Sequence, residues 1–445
     1  MSPDNRNKLK SNIVYGKPSK ELFITMLTRD IALTDAISDL VDNCVDGALR
    51  LRGRKSLKGL EVNITLTENS FIIKDNCGGI EKSLAQDYAF RFGRLKETPK
   101  IDYSVGQFGI GMKRALFKIG KKFKIKSISE NASFSIEIDV NKWGRKVSWD
   151  FKFENITEKK FPLKERGTEI VVSALIKDVK DRFIQNNFKS ELKEKLELQH
   201  LMSLSKGLSI KINNYPIHST KLQLLDGKKF STAYWSKKFA MYGNTQVKIY
   251  AGIGEPILSL GGWYIFCNNR LIAGPEQTGV TGWGNTSTVK IPKYHSQFNR
   301  FRGFVFFESK SPDYLPWNTS KTSIDTDSLI FQNVKQEMVK LMRPIIDFLN
   351  KVHEESVAFS NKKLEEEYLQ GEIGSAPLKD YLNVKTSLEF NAPIQKLIKE
   401  TNEAIIRYVR PKDKIKKLEK FFGVSSSKKV GEKTFDYTYE REIEK

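Results

Sequence analysis

Apolar residues recur three and four apart from Leu33 to Ala48, a spacing that predicts a helix running on to about Arg52. Leu33, Ile37, Leu40, Val41, Cys44 and Ala48 share one side, an ordinary core face. Asp35, Asp39, Asp42, Asn43 and Asp46 share the other. A shorter helical pattern, Lys20 to Arg29, precedes it after Pro18-Ser19. Alternation with β-branched residues predicts a strand over Glu61–Thr67, and Ser70–Lys74 completes a hairpin around Asn69-Ser70. Glu81 to Ser104 is polar, basic and poorly periodic, a loop with one short helix, and the helical period returns within Val105–Gly120. Four more strands are expected at Lys122–Ser129, Ser133–Val140, Lys146–Phe153 and Thr168–Leu175. Helix, hairpin, glycine-rich loop, helix and a run of mainly antiparallel strands describe an α+β two-layer sandwich.

The second half has a different rhythm. Leu192–Ser205 reads as helix, and Leu208–Asn213, Gln246–Gly252, Gly262–Phe266 and Gly303–Glu308 read as strands. From Phe331, the residues Val334, Met338, Leu341, Ile345, Leu349 and Val352 predict a long amphipathic helix, kinked at Pro344. It either packs on the preceding strands or forms a dimer stalk. Gly371–Pro377 reads as a linker, Pro393–Val409 as a further helix, and the end of the chain as a basic then acidic tail.

Composition narrows the class. A formal charge of +22 favours a polyanionic partner, and its densest part is Arg91–Lys126. Three scattered cysteines and four histidines exclude a zinc module. No run approaches a membrane span and Met1–Gly16 holds no signal-like apolar stretch, so the expected location is the cytoplasm.

Three stretches carry candidate chemistry. The acidic helix side is either a solvated face or a set of hard oxygen ligands of the kind magnesium prefers, offset by cations. Asp75 ends a strand just before Gly78-Gly79-Ile80, which sets a carboxylate beside bare backbone. Such a carboxylate can accept from an exocyclic amine while a flat ring lies against the glycines. Gly106, Gly109 and Gly111 precede an apolar helix, an arrangement that presents free N–H groups to phosphate, with Lys113 and Arg114 adding charge. Neither a Walker A nor a Rossmann loop fits: no GK[ST] follows, and no strand leads directly in.

Asp39-x3-Asn43-x2-Asp46, Asp75-x3-Gly79, Gly106-Gln-Phe-Gly-Ile-Gly111 and Gly167-Thr168, in this order, resemble the GHKL superfamily of ATP-binding proteins, in particular its microrchidia, MutL, gyrase B and heat-shock-chaperone members. The resemblance implies a Bergerat fold that binds ATP with Mg2+. Asn43 would coordinate the metal, Asp75 would accept from the adenine amine, and Gly79 would let the ring approach. Asp46, Ile80 and Met112 would line the site. Gly106, Gln107, Phe108, Gly109, Ile110 and Gly111 would cradle the phosphates, Thr168 would bond beside Asp75, and the segment from about 81 to 105 would be the ATP lid. Two residues depart from the pattern. Asp39 stands where the superfamily's catalytic glutamate is expected, a reach shorter by about 1 Å. Cys77 stands where glycine is usual. Further on, Tyr264–Ile272 (YIFCNNRLI) resembles the transducer domain of microrchidia and MutL proteins, and Lys321 in Asn318–Ile324 (NTSKTSI) resembles the transducer lysine that reaches the γ-phosphate.

The expected organisation is a flexible N-terminus over 1–14, an ATP-binding domain over 15–175, a transducer over 176–330 and a helical C-terminal region over 331–445. The expected activity is a Mg-dependent ATPase, with Asp39 and Lys321 catalytic. It would work as an ATP-gated homodimeric clamp or switch, with DNA or RNA met through Arg91–Lys126. A non-hydrolysing assembly switch and a chaperone-like ATPase are the alternatives.

Overall fold

The structure, a computed structural model, describes residues 16, 18–53, 55–93, 95, 97, 102–106, 109–285, 289–394, 406 and 408–443. The expected flexible N-terminus over 1–14 lies outside these residues, as do Gln107 and Phe108. Met1–Val357 with Glu367–Gln395 form one compact unit, and Ala358–Glu366 with Lys396–Lys445 a second.

The first layer pair of the large unit is built on helix α1, Leu33–Arg52. Gly53 ends it at φ +63°, its N–H bonded to the Leu49 carbonyl. Helix α2, Gly111–Ile119, lies beside α1 on the same sheet face, and their apolar sides share one core with the strands. The sheet comprises β1 (Glu61–Leu66), β2 (Phe71–Asp75), β3 (Gly120–Ile128), β4 (Ala132–Asp139), β5 (Phe153–Glu158), β6 (Gly167–Leu175), β7 (Ser209–Ile212) and β8 (Tyr215–Pro216), in the order β5-β4-β3-β6-β2-β1-β7-β8. All neighbours are antiparallel except β1 and β7. Val62, Ile64 and Leu66 point into the core and their neighbours do not, as period two requires.

The second sheet joins β10 (Thr232–Phe239), β11 (Thr245–Ile253), β12 (Gly262–Cys267), β13 (Arg270–Glu276), β14 (Phe301–Glu308) and β16 (Thr386–Ser387), in the order β13-β12-β14-β11-β10-β16. A small ladder of β9 (Gln223–Leu225) and β15 (Leu378–Asp380) accompanies it. Every residue of β12 is buried because both faces are covered. Trp263, Ile265 and Cys267 meet helix α3, Leu329–Ser360, while Tyr264 and Phe266 meet Leu201, Met202 and Tyr381. Helix α3 runs unbroken through Pro344, and Val334, Met338, Ile345, Leu349 and Val352 pack on the sheet. Of its two readings, packing therefore holds up to Val352. In the smaller unit Lys412–Phe422 and Ser427–Glu442 form two helices, with Phe422 against Tyr437 at 6.1 Å between ring centroids.

Two expectations are corrected, and a third lies mostly outside the described residues. Lys146–Phe153 is not a strand; the strand is Phe153–Glu158. The buried Lys20 ammonium takes the carbonyls of Trp143, Lys146 and Ser148 at 2.8, 2.7 and 2.7 Å, and Trp149 and Phe151 turn into an aromatic cluster with Phe92 and Trp143. Those carbonyls are thereby lost to a ladder. Gly371–Pro377 is not a linker, since Tyr368–Ser375 is helical: Leu369 and Ile373 are buried one turn apart, and Glu355 accepts the Leu369 N–H at 2.7 Å. The helix expected over Pro393–Val409 falls mostly outside the described residues, and Pro393, Ile394, Tyr408 and Val409 are not helical.

Candidate functional site

The acidic side of α1 is buried: Asp39, Asp42 and Asp46 are 2, 0 and 6 % exposed. The solvated-face reading fails, because each carboxylate has partners from distant parts of the chain. Asp42 is the centre. Its Oδ1 accepts from Arg270 Nε at 2.6 Å, its Oδ2 from Lys321 Nζ at 2.9 Å, and His200 Nε2 lies 3.8 Å away. Asp39 Oδ2 accepts from Arg114 at 2.8 Å, and its Oδ1 faces Lys321 Nζ at 3.6 Å without a hydrogen bond. Asp46 accepts the backbone N–H groups of Val105 and Gly106 at 2.8 and 2.7 Å. Arg114, Arg270 and Lys321 thus face the two carboxylates of Asp39 and Asp42, a surplus of one positive charge in a buried place.

The electrostatics follow from the geometry. Burial alone would push the Asp42 carboxyl up, but Arg270, Lys321 and His200 outweigh it and hold it well below the usual carboxylate range. Burial would lower Lys321, and Asp42 and Asp39 overcome that and raise it. Burial pushes Asp46 up despite its two N–H donors. Burial, aided by Arg270, pushes His200 down to about 3. Ser38 donates to Gln199 Oε1, so its oxygen is left to accept from Arg270 and from the neutral ring's Nε2–H.

A consequence can be measured. An unfolded histidine titrates near 6.5, so between about 6.5 and 3 the unfolded chain binds a proton that His200 in the fold refuses. Stability is expected to fall on acidification through that window, with a contribution of up to about 1.4 kcal/mol per pH unit from this ring. Urea unfolding at pH 7, 6, 5 and 4 should show a slope that His200→Gln reduces by up to one proton.

The glycine-rich stretch lies over this charge cluster. A Cβ on Gly106 would come within 2.8 Å of Asp46 Oδ2, and one on Gly111 within 3.2 Å of Asp39 Oδ2, so bare backbone is what lets the loop sit on α1. Gly109 has φ +66°. Ile110 caps α2, and Met112 follows in its first turn. Lys113 and Arg114, read from the sequence as phosphate-side cations, are both turned inward. Lys113 donates to the Ala89 carbonyl at 3.0 Å and to Gly109 O, and burial pushes it down to about 7. Lys122, Lys124 and Lys126 face solvent across the sheet from Asp139, Glu137 and Glu169. The cations of Arg91–Lys126 therefore occupy separate environments among the described residues.

On the adjoining stripe of α1, one residue round from the acidic positions, a recess is lined by Asn43, Cys44, Gly47, Asp75, Cys77, Gly79, Ile80, Met112 and Thr168. Asp75 Oδ1 accepts the Cys77 N–H at 2.7 Å and Oδ2 the Cys44 thiol at 3.4 Å. Burial raises Asp75 against these donors. Thr168 pairs directly opposite Asp75 in the β2–β6 ladder. Gly79 has φ +71°, and a Cβ there would lie 2.1 Å from the Ile128 carbonyl oxygen, so only glycine fits. Asn43 is exposed at the mouth, and a Cβ on Gly106 would lie 3.7 Å from its Oδ1.

Residues 31–168 match the family model of histidine kinase-, DNA gyrase B- and HSP90-like ATPases. No curated protein matches the chain. The ATPase-family stretch holds α1, the recess and the glycine-rich loop, and it supports ATP binding. Arg270 and Lys321 lie beyond it. Among the described residues no helix is long and apolar enough to cross a membrane. None of their His, Cys, Asp or Glu side chains form a group of three able to hold a metal alone. The donor set still suits Mg2+ carried on phosphates, since the carboxylates of α1 already have protein partners and the exposed Asn43 amide oxygen is free to add one hard ligand.

Sequence reasoning gave Arg114 to the phosphates rather than to Asp39, and it missed Arg270, His200 and the central part played by Asp42. Asp42 stood in the acidic stripe and Arg270 in the Asn-Asn-Arg turn, so both had a signal; His200 had none.

Proposed function

We propose that this protein is a magnesium-dependent ATPase whose nucleotide lies along α1, adenine towards Asp75 and phosphates towards the glycine-rich loop. One observation carries the hydrolytic part. Asp39 Oδ1 is buried, has no hydrogen bond, and faces the Lys321 ammonium beside Gly111. A buried carboxylate oxygen without a hydrogen bond costs about 1–3 kcal/mol, and a reaction that uses it is a physical reason for keeping it.

In this reading Asp75, Gly79, Ile80 and Thr168 select the base, and Gly106 to Met112 hold the phosphates. Asp39 takes the proton of the attacking water and Lys321 offsets charge on the γ-phosphate. Magnesium, when bound by Asn43 and the phosphates, would neutralise phosphate charge. The working cycle we propose is an ATP-gated clamp between two copies. A second reading, a switch that binds ATP without turning it over, draws on Arg114: its bond ties up the other oxygen of an already short carboxylate.

Binding is tested by titrating ATP with Mg2+ against fluorescence or heat, beside Asp75→Asn. The variant is expected to bind at least tenfold more weakly, since the amide turns a donor towards the adenine amine. Equal affinity in the two proteins would overturn the placement of the base.

A further inference from the structure

The turn Cys267–Arg270 is used by nothing in the scheme above. It is a two-residue hairpin: Asn268 and Asn269 have φ +47° and +68°, and Cys267 pairs Arg270 across it. Asn268 is buried and fully bonded. Its Nδ2 donates to the carbonyls of Ser104 and Ser309 at 3.2 and 3.0 Å, and its Oδ1 accepts the Ser309 N–H at 2.9 Å. Ser104 ends the segment that reads as the lid, and Ser309 begins the stretch that leads to Lys321. The turn is thus clamped to both. It delivers Arg270 to α1, where the guanidinium bonds Asp42 at 2.6 Å and Ser38 at 3.2 Å.

Lys321 sits at the tip of a loop closed by the Trp317–Ile324 bridge, at φ +55°. For its ammonium to serve a γ-phosphate it must loosen its 2.9 Å bond to Asp42. If Lys321 were the only cation on that buried carboxylate, the move would strand a charge, and buried charges left alone are costly. Arg270 removes this obstacle by keeping Asp42 neutralised whether or not Lys321 stays. We infer that Arg270 is a positioning residue: it holds Asp42 so that Lys321 can be given up to the γ-phosphate, and Asn268 fixes it relative to the lid.

This rests on the ATP-site reading, so the test has a readout that needs no turnover. Affinities for ADP and for a non-hydrolysable ATP analogue are measured on the full chain, their ratio reporting the γ-phosphate contact. The wild-type protein is expected to prefer the ATP analogue. Arg270→Met should lower that preference about tenfold with ADP affinity within threefold, because Lys321 is now needed at Asp42. Adding Asp42→Asn should restore it, since the competing charge is gone, and Arg270→Lys should keep it. A purely structural loss would weaken ADP and the ATP analogue alike, so ADP affinity held within threefold is what separates positioning from structure. An unchanged preference in Arg270→Met overturns the inference, as does failure of Asp42→Asn to rescue, or no preference in the wild type while ADP still binds. Failure of wild type to bind either nucleotide would instead sink the ATP-site reading, and this inference with it.

Discussion

Lys321→Ala is expected to lower ATP turnover by roughly 100- to 1000-fold, the usual cost of removing one preorganised group that meets charge developing in a transition state. The cluster itself should tolerate the change. Asp42 keeps Arg270 at 2.6 Å and Asp39 keeps Arg114 at 2.8 Å, so no carboxylate is left without a cation. Unfolding midpoints should therefore move far less than the rate, and ADP affinity should hold. Single-turnover phosphate release, beside a urea melt, separates the two effects. A loss of turnover matched by a collapse in stability would make Lys321 structural, and unchanged turnover would remove it from the mechanism.

Asp39→Asn is expected to lose at least about 100-fold in turnover, since a general base contributes that much or more. Nucleotide affinity should stay within threefold because Asp75, Gly79 and the loop are untouched. The amide oxygen can still accept from Arg114, so the 2.8 Å contact has a replacement and the fold should survive. Turnover equal to wild type would exclude Asp39 as the base. Wild-type binding without any turnover would favour the switch, with the Arg114 bond as its physical cause.

The layered α+β fold was legible because α1, β1 and the first hairpin obey one period each, with nothing competing. Asp75 and Gly79 were legible for a related reason: a carboxylate at a strand end, followed by glycines with positive φ, leaves a local trace, whereas Thr168 entered only through the resemblance. Lys146–Phe153 misled because its alternation says nothing of Lys20, which claims two of its carbonyls from over a hundred residues away. Gly371–Pro377 misled because two glycines and a proline outweighed Leu369 and Ile373, whose spacing matters only once α3 is beside them. The charge cluster was half legible. Its carboxylates sit on one helix and show a stripe, whereas Arg114, His200, Arg270 and Lys321 come from four separate segments and share no spacing.

The family match ends at Thr168, yet the chain does not come apart there. Beyond that point lie β7, which pairs with β1, and two of the cations that neutralise α1. Val105, inside the matched stretch, has its side chain in the core of the second sheet. A fragment cut at the edge of the match would bare that valine, open the edge of β1 and leave Asp42 with neither Arg270 nor Lys321. The recognisable module is therefore not a separable one: inheritance and folding draw their borders at different residues.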